Sequence, residues 1–331
     1  MRTAATRPLQ SAAADPREDT VSDSGPRPVI GAIPKVLDRL IGEFRTAREM
    51  VAELIRYREL LLSLTSREIR VRYKQSVLGV AWALLLPLSM MLIFTFVFTR
   101  AIDITRHLDV AMPYAIFAYT GLLPWVFFAT SLTQAVNSLV ANASLLSKIY
   151  FPREMFPLSC VASAFVDFLI GLAVLIVLVV YYHVVPDAWG GTIVSAGHVV
   201  RADWTFTFRF TLLAIPLVVL AQLALTVGLA FLLAMANLFY RDVRQVFAVA
   251  IQLWMFLTNV LYPLSTSDAV TRTLLYLNPM TPILSAYRDL AIYGRWPEPG
   301  PSIYAAVVSV VLLLVGWRCF HAAEFKFAER V

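Results

Sequence analysis

Six long stretches of this chain carry almost no charge, and they constrain its fold more than any other feature. A helix needs roughly 20 apolar residues to cross the hydrocarbon core of a bilayer. Because a backbone in lipid finds no water to bond with, such crossings have to be helical. The sequence therefore predicts an all-α integral membrane protein with six transmembrane helices. The stretches are Gln75–Thr99, Met112–Ser147, Met155–Val185 (which holds one aspartate), Phe210–Tyr240, Gln245–Ser267 and Gly300–Trp317.

Composition and motifs exclude several classes of protein. Only 15% of residues are charged and 59% are hydrophobic, whereas soluble domains average about 25% charged residues. The two cysteines and four histidines show no ligand spacing, so no metal site is expected. No G-x-x-x-x-G-K-[ST] motif occurs, so the chain is not expected to hold ATP phosphates. We expect no cofactor, no catalytic residue and no nucleic-acid partner.

The distribution of basic residues predicts the orientation. With a cytosolic N-terminus and six spans, 21 of the 28 Lys and Arg residues fall on the cytosolic side, as the positive-inside rule requires. Both termini are then cytosolic. The predicted organisation is a disordered tail (1–34), amphipathic interfacial helices (35–76), a six-span domain (77–321) and a cytosolic tail (322–331).

An amphipathic segment precedes the first span. Apolar Leu60, Leu61 and Leu64 alternate with basic residues, a pattern typical of a helix that lies at the surface of an anionic membrane. Thr65 and Glu68 fit a capping box, which predicts a helix break near Thr65. The residues expected to define this interfacial helix are Arg67, Arg70, Arg72, Tyr73 and Lys74.

Two charged clusters interrupt the apolar runs on the cytosolic side. The first is an elbow between spans two and three, flanked by Pro152 and Pro157, which disfavour continuous helix. It is either a tight loop shielded by headgroups or a surface helix that docks a partner. The second cluster is either a further partner contact or a positive-inside anchor. The candidate contact residues are Lys148, Tyr150, Phe151, Arg153 and Glu154 in the elbow, and Arg241, Asp242 and Arg244 in the second cluster.

Within the spans, one acid and many aromatics invite a functional interpretation. Asp167 favours a structural hydrogen-bonding role over a proton relay, because no second acid or histidine lies at comparable depth. Most aromatics are explained by packing and interfacial belts, and a minority is expected to line a substrate channel. The candidate lining residues are Phe94, Phe98, Tyr119, Trp125, Phe128, Gln134, Trp254 and Asn259.

Two regions are predicted on the outer side. Residues 185–209 form a loop in which a small hairpin around Ala196 and Gly197 is expected. Residues 263–299 are too apolar for a free loop, which predicts half-helices that re-enter the outer leaflet. A seventh span is the alternative, but Asn278, Pro279 and Pro282 break this run midway.

Four segments carry a resemblance to a known family. They read REIRVRYKQSVLGVAWALLLPL, YTGLLPWVFFATSLTQAVNSLVANASLLSKIYFPREMFPL, ANLFYRDVRQVFAVAIQLWMFLTNVLYPLS and LNPMTPILSAYRDL. In this order they resemble the permease subunit of type-2 ABC exporters for polysaccharides and polyol phosphates, a family that includes O-antigen, capsule and teichoic acid exporters. The resemblance covers about residues 56–331. Residues 1–55 have no counterpart, and the outer loop is longer than expected.

The resemblance implies a homodimer that works with two copies of a separate ATPase subunit, which would hold ATP and Mg²⁺. It implies six spans, an interfacial helix, re-entrant half-helices and an elbow that serves as the ATPase-coupling helix. The substrate would be a lipid-linked polysaccharide or polyol phosphate that crosses the bacterial inner (cytoplasmic) membrane. Two alternatives remain open: a drug or small-lipid exporter of the same superfamily, and a membrane glycosyltransferase, which would need a carboxylate cluster that this sequence does not show.

Overall fold

The computed structural model describes residues 52, 55–74, 76, 78–79, 81–98, 114–146, 152–184, 192–195, 198–201, 210–264 and 268–330. The predicted N-terminal tail and the first part of the 35–76 segment lie outside the described residues. So do residues 147–151 of the elbow. The last helix continues through the predicted C-terminal tail as far as Arg330.

The described chain is built almost wholly of helices. They are α1 (Arg58–Tyr73), α2 (Ala81–Phe96), α3 (Tyr114–Ala141), α4 (Ala143–Leu146), α5 (Met155–Val184), α6 (Ile215–Phe239), α7 (Val243–Phe256), α8 (Ala269–Tyr276), α9 (Met280–Arg288) and α10 (Pro299–Arg330). A 3₁₀ turn, Phe210–Ala214, leads into α6, and a π-helical turn, Asp289–Tyr293, follows α9.

A short hairpin lies in the outer loop. Strand β1 (Thr192–Ser195) pairs antiparallel with β2 (His198–Arg201), with Ser195 opposite His198. Two residues therefore connect the strands, as the Ala196–Gly197 pair predicts. The expected hairpin is confirmed.

Four helices are long and apolar enough to cross a membrane: Tyr114–Ala141, Met155–Tyr182, Phe210–Phe239 and Pro299–Ala323. The helices at the predicted first and fifth spans are apolar but shorter, with 16 residues in α2 and 14 in α7. At 1.5 Å per residue they reach about 24 and 21 Å, against a hydrocarbon core of about 30 Å. Among the described residues, four of the six expected spans thus reach full length.

Helix α3 is the centre of the bundle, because 83% of its most apolar 18-residue stretch is buried. Helices α2, α5, α6, α7 and α9 all pack against it. Two buried amides of α6 donate to its backbone: Gln222 Nε2 bonds the carbonyl of Pro124 (2.8 Å), and Asn237 Nδ2 bonds that of Val136 (2.8 Å). Such interhelical hydrogen bonds help to hold membrane helices together. They fix α6 against α3 at two levels.

Glycines allow α6 and α10 to approach each other closely. A Cβ atom added to Gly228 would lie 2.5 Å from the backbone of Leu312, and one added to Gly316 would overlap the backbone of Gly228. Small residues at such crossings bring helix backbones into van der Waals contact, which is a main source of association in lipid. Gly228 and Gly316 therefore set the distance between these helices.

The predicted break in the interfacial segment is wrong. Helix α1 runs without interruption through Thr65, whose hydroxyl donates to the carbonyl of Leu61 one turn earlier (2.7 Å). The Thr65 side chain thus bonds inside a helix and caps no new one, because serine and threonine hydroxyls can reach the carbonyl four residues back.

Replacing Gly228 by alanine should destabilise the protein by about 1–3 kcal/mol, because the added methyl group meets backbone that cannot rotate away. Thermal unfolding in detergent would measure this as a lower midpoint. Gly300→Ala is the matched control, since a Cβ atom there meets nothing within 4 Å. Equal midpoints for the two variants would contradict the close crossing of α6 and α10.

Candidate functional site

The end of α1 is tied to the spans through Arg72. Its guanidinium forms an ion pair with Asp167 of α5 and hydrogen bonds with Gln134 of α3 and with Ser163 Oγ (2.8 Å). Tyr73 OH donates to the other Asp167 oxygen (2.9 Å). One arginine thus joins three helices.

This network explains the aspartate inside the third apolar run. Asp167 is satisfied by a cation and a phenol from α1, so the predicted structural hydrogen-bonding role is confirmed. Burial, and then the hydrogen bond to Asp167, raises the pKa of Tyr73, so this side chain stays a proton donor at neutral pH. The sequence could not pair Asp167 with Arg72, which lies 95 residues earlier.

The other predicted interfacial residues divide into two groups. Arg67 hydrogen-bonds the buried Asn142 at the end of α3 and lies 3.4 Å from Glu68. Arg70 and Lys74 are exposed, and the Arg70 side chain donates to the carbonyl of Ser66 one turn earlier (3.3 Å). Helix α1 therefore has one face bonded to the bundle and another that is open.

The elbow enters α5 through a buried carboxylate. Glu154 is only 4% exposed, and its Oε1 lies 3.3 Å from His321 Nδ1 of α10. In this structure the Glu154 side chain therefore faces the protein, and its role at the ATPase contact stays a prediction. Arg153 is half-buried. Lys148, Tyr150 and Phe151 lie outside the described residues.

The second predicted contact cluster lies on the surface at the same end of the bundle. Arg241 and Asp242 are exposed between α6 and α7, and Arg244 is exposed in the first turn of α7. Phe239, at the end of α6, packs against the same apolar cluster as Phe156 of the elbow. The two predicted contact elements thus share one end of the molecule.

The candidate lining residues do not converge on one open path within the single chain. Four are buried: Tyr119 and Phe128 are 0% exposed, Asn259 2% and Trp125 3%. Phe128 packs edge-on against Trp254, with ring centroids 5.3 Å apart. The half-buried members are Phe94, Phe98, Gln134 and Trp254. Their role as channel lining stays a prediction.

A buried arginine is the main feature that sequence analysis missed. Arg288 is only 3% exposed, and its guanidinium lies 3.8 Å from the ring centroid of Phe117. It donates to the carbonyls of Asn259 (2.6 Å) and Val260 (2.5 Å), where the chain leaves α7, and to that of Phe117 (3.4 Å). Gly121 leaves it room, since a Cβ atom there would overlap the guanidinium. The sequence analysis assigned no role to Arg288.

Arg288 and its neighbours surround a cavity of about 290 Å³. We call it the outer cavity because it adjoins the segment that the sequence predicts on the outer side. Two arginines on its walls are matched by acids: the half-buried Arg272 pairs with Glu298, and the exposed Arg295 has its Nε 2.7 Å from Asp289 Oδ1. Hydrogen bonds from Thr271, at the start of the adjacent α8, lower the pKa of Asp268. Further lining residues are Phe117, Asn259, Tyr276, Ser285, Tyr293 and Ser302.

These features define a multi-pass helical membrane protein, with span-length helices joined by charged elements at one end. In the described residues no group of three or more His, Cys, Asp or Glu could hold a metal ion. Residues 59–292 match the ABC-2 type transporter family, and the chain belongs to this family. The protein is thus a transporter membrane subunit and not an enzyme. The resemblance noted from the sequence motifs is confirmed.

The similarity to several known proteins extends over almost the full length of those proteins. The chain is 35% identical to the O-antigen export system permease protein RfbA of Myxococcus xanthus, over 85% of this chain and 99% of that protein. It is 29% identical to a protein of the same name from Klebsiella pneumoniae, over 82% and 94%. It is 23% identical to the polysialic acid transport protein KpsM of Escherichia coli, over 78% and 91%.

Replacing Arg72 by methionine should destabilise the protein by about 1–3 kcal/mol, because it leaves Asp167 without its cation. The double variant with Asp167→Asn should lose less than the sum of the single losses, with a coupling energy of about 0.5–3 kcal/mol. Thermal unfolding of the parent protein, the two single variants and the double variant would measure this coupling energy.

Arg70→Met is the matched control on the exposed face of α1, and it should stay within about 0.5 kcal/mol of the parent protein. Strictly additive losses for Arg72 and Asp167 would show that the ion pair does not hold α1 to α5.

Proposed function

We propose that this chain is the permease of an ATP-driven exporter that moves a lipid-linked polysaccharide or polyol phosphate across the cytoplasmic (inner) membrane. The observation that carries the proposal is its 35% identity over 99% of a permease named for O-antigen export. A second relative is named for polysialic acid transport. O-antigen and polysialic acid are both long sugar polymers, so the proposed substrate class rests on what these relatives have in common.

The proposed topology has six crossings with both termini in the cytosol. Helices α2 and α7 would provide the first and fifth crossings, since each is apolar and lies where a long uncharged run predicts a span. Six crossings bring the elbow and the Arg241–Arg244 cluster to the same side, in agreement with their shared apolar cluster. Helices α8 and α9 would be the half-helices that re-enter from the outer side; α9 is almost entirely buried.

The proposed assembly has two copies of this chain and two copies of an ATPase that holds ATP and Mg²⁺. Helices α2 and α7 each expose a row of large apolar side chains, among them Phe96 (65%) and Phe256 (64%). Such faces suit contact with lipid or with a second copy. A path between two copies would place the half-buried Phe94, Phe98 and Trp254 closer to the substrate than the buried members of the predicted lining set.

The proposed ATPase contact consists of the elbow and the exposed Arg241–Arg244 cluster. Arg153, Arg241 and Arg244 would meet acidic groups of the ATPase. Glu154 would act from the inner side, where its contact with His321 ties the elbow to α10. The role of the buried carboxylate is thus to transmit force from the docking surface and not to form it.

Deleting the gene in the native cell should trap finished polymer in the cytoplasm and remove it from the surface. Cell fractionation followed by glycan detection would show this, and expression of the intact chain from a plasmid should restore surface display. Normal surface glycan in the deletion strain, together with loss of drug or small-lipid efflux, would assign the protein to the alternative class of exporter.

Changing both Arg241 and Arg244 to glutamate should reduce ATPase copurification and export at least about tenfold, because like charges facing each other at an interface cost several kcal/mol. Arg318→Glu is the matched control, since Arg318 is also exposed and lies beside Trp317 in the same end cluster. Both variants should insert and express normally. Undiminished copurification of the double variant would remove this cluster from the docking surface.

A further inference from the structure

A crevice lies between α2 and α5, with α3 as its floor and the last residues of α1 at one end. We call it the α2–α5 crevice. Its volume is about 290 Å³, near the lower limit of about 300 Å³ for ligand pockets. Trp82 and Leu86 of α2 line it and are 55% and 50% exposed. The crevice is therefore open to the protein surface.

The crevice has a polar end and an apolar remainder. Arg72, Tyr73 and Asp167 line the polar end. The Arg72 side chain is 24% exposed and that of Asp167 is 18% exposed, so a ligand in the crevice can touch both. The other lining side chains are nearly all apolar, among them Leu86 and Phe127. A ligand that fits both parts is an amphiphile.

The polar end lies at the level where lipid headgroups meet the hydrocarbon core. Helix α5 has 30 residues and α3 has 28, whereas about 20 residues cross the core. Counted from the ends far from the elbow, about 20 residues reach Phe165 in α5 and Thr133 in α3. Asp167 and Gln134, which both contact Arg72, lie next to these positions. The apolar part of the crevice then extends into the hydrocarbon core.

The hydrogen-bonding groups and charges at the polar end fit a phosphate. A guanidinium has five N–H donors, and Arg72 uses three in its bonds to side chains of α3 and α5. Two donors are left for a ligand. The charge of Asp167 is matched by Arg72, and Arg70 and Lys74 are exposed at the same end of α1. The surroundings are therefore rich in donors and positively charged, which suits an anionic oxygen acceptor.

The floor of the crevice favours a resident lipid over a transported one. Leu123 and Phe127 of α3 and Phe168 of α5 line it, and each is only 4% exposed. These packed side chains close the crevice on the side of the bundle interior. On its open side, Val166 and Leu169 of α5 continue the exposed apolar surface. A ligand can thus enter from the lipid and leave by the same opening, without passing through the protein.

We propose that the α2–α5 crevice holds one anionic phospholipid, with its phosphate at Arg72 and one acyl chain between α2 and α5. The inference does not rest on the proposed function, since it needs only a chain embedded in a membrane. The bound lipid would connect α1, α2 and α5, because each of these helices contributes a wall of the site. It would thereby stabilise the end of α1 on the bundle.

Native mass spectrometry of the purified full-length chain tests the site with phospholipids of known headgroup. The protein is freed of lipid in detergent and then given equal amounts of phosphatidylglycerol and phosphatidylcholine. We expect one retained phosphatidylglycerol per chain, preferred about fivefold over phosphatidylcholine, the effect of about one basic side chain near a lipid charge. Phosphatidylglycerol should also raise the midpoint of thermal unfolding more than phosphatidylcholine does, because a ligand stabilises the native state that binds it.

Substitutions in α2 locate the retained lipid. Ala83 lines the crevice, so Ala83→Phe places a ring inside it and should abolish the lipid-bound mass peak. Ala81→Phe is the matched control, because Ala81 is exposed, lies outside the lining and points to the opposite side of the helix. Leu86→Trp narrows the crevice from a second position and should give the same loss. The unfolding midpoint of each lipid-free variant shows whether its fold is intact.

Three results would overturn the site. Equal phosphatidylglycerol retention by the Ala81→Phe and Ala83→Phe variants would place the bound lipid elsewhere on the protein. An isoprenoid phosphate that copurifies from the cell, in place of a phospholipid, would assign the crevice to a lipid carrier. No retained lipid, together with equal unfolding midpoints in the two phospholipids, would show that the crevice has no specific occupant.

Discussion

Where a helix ends inside a membrane protein, the backbone carbonyls that follow it need hydrogen-bond donors from the protein itself, since lipid supplies none. Arg288 meets this need where the chain leaves α7, by bonding the carbonyls of Asn259 and Val260 and, across the bundle, that of Phe117 at the start of α3. Gly121 makes the approach possible. Arg288 thus supplies hydrogen bonds to the non-helical segment that follows α7.

The uncharged runs predicted the fold class and six spans, because lack of charge over about 20 residues leaves few options besides a membrane helix; among the described residues four of them are full-length helices. They did not predict where α2 and α7 end. Residues after Phe256 remain apolar, yet the chain turns there, since Arg288 and Asn278 supply hydrogen bonds to the freed groups. Composition shows which residues tolerate lipid, whereas partners distant in the sequence decide which of them form helix.

The same limit applies to the functional sites: the sequence shows which residues are unusual but not which distant residues they contact. The sequence identified Asp167 as structural and the two cytosolic clusters as exceptional, because each stood out against an apolar background. It could not show that Glu154 faces His321 or that Asp167 faces Arg72, since these pairs are 167 and 95 residues apart. The contacts of Arg288 with Gly121 and Phe117 were beyond the sequence for the same reason, since Phe117 lies 171 residues earlier.

Helix α10 has a mechanical consequence. It is unbroken from Pro299 to Arg330. Ser302, near its start, lines the outer cavity, whereas His321 contacts Glu154 at the other end. The 19 residues between them amount to about 28 Å of helix. A continuous helix of this kind transmits a displacement along its axis with little loss, and Gly316 keeps it in close contact with α6. One continuous helix therefore connects the elbow with the rim of the cavity, so a shift of either region along the helix axis would displace the other.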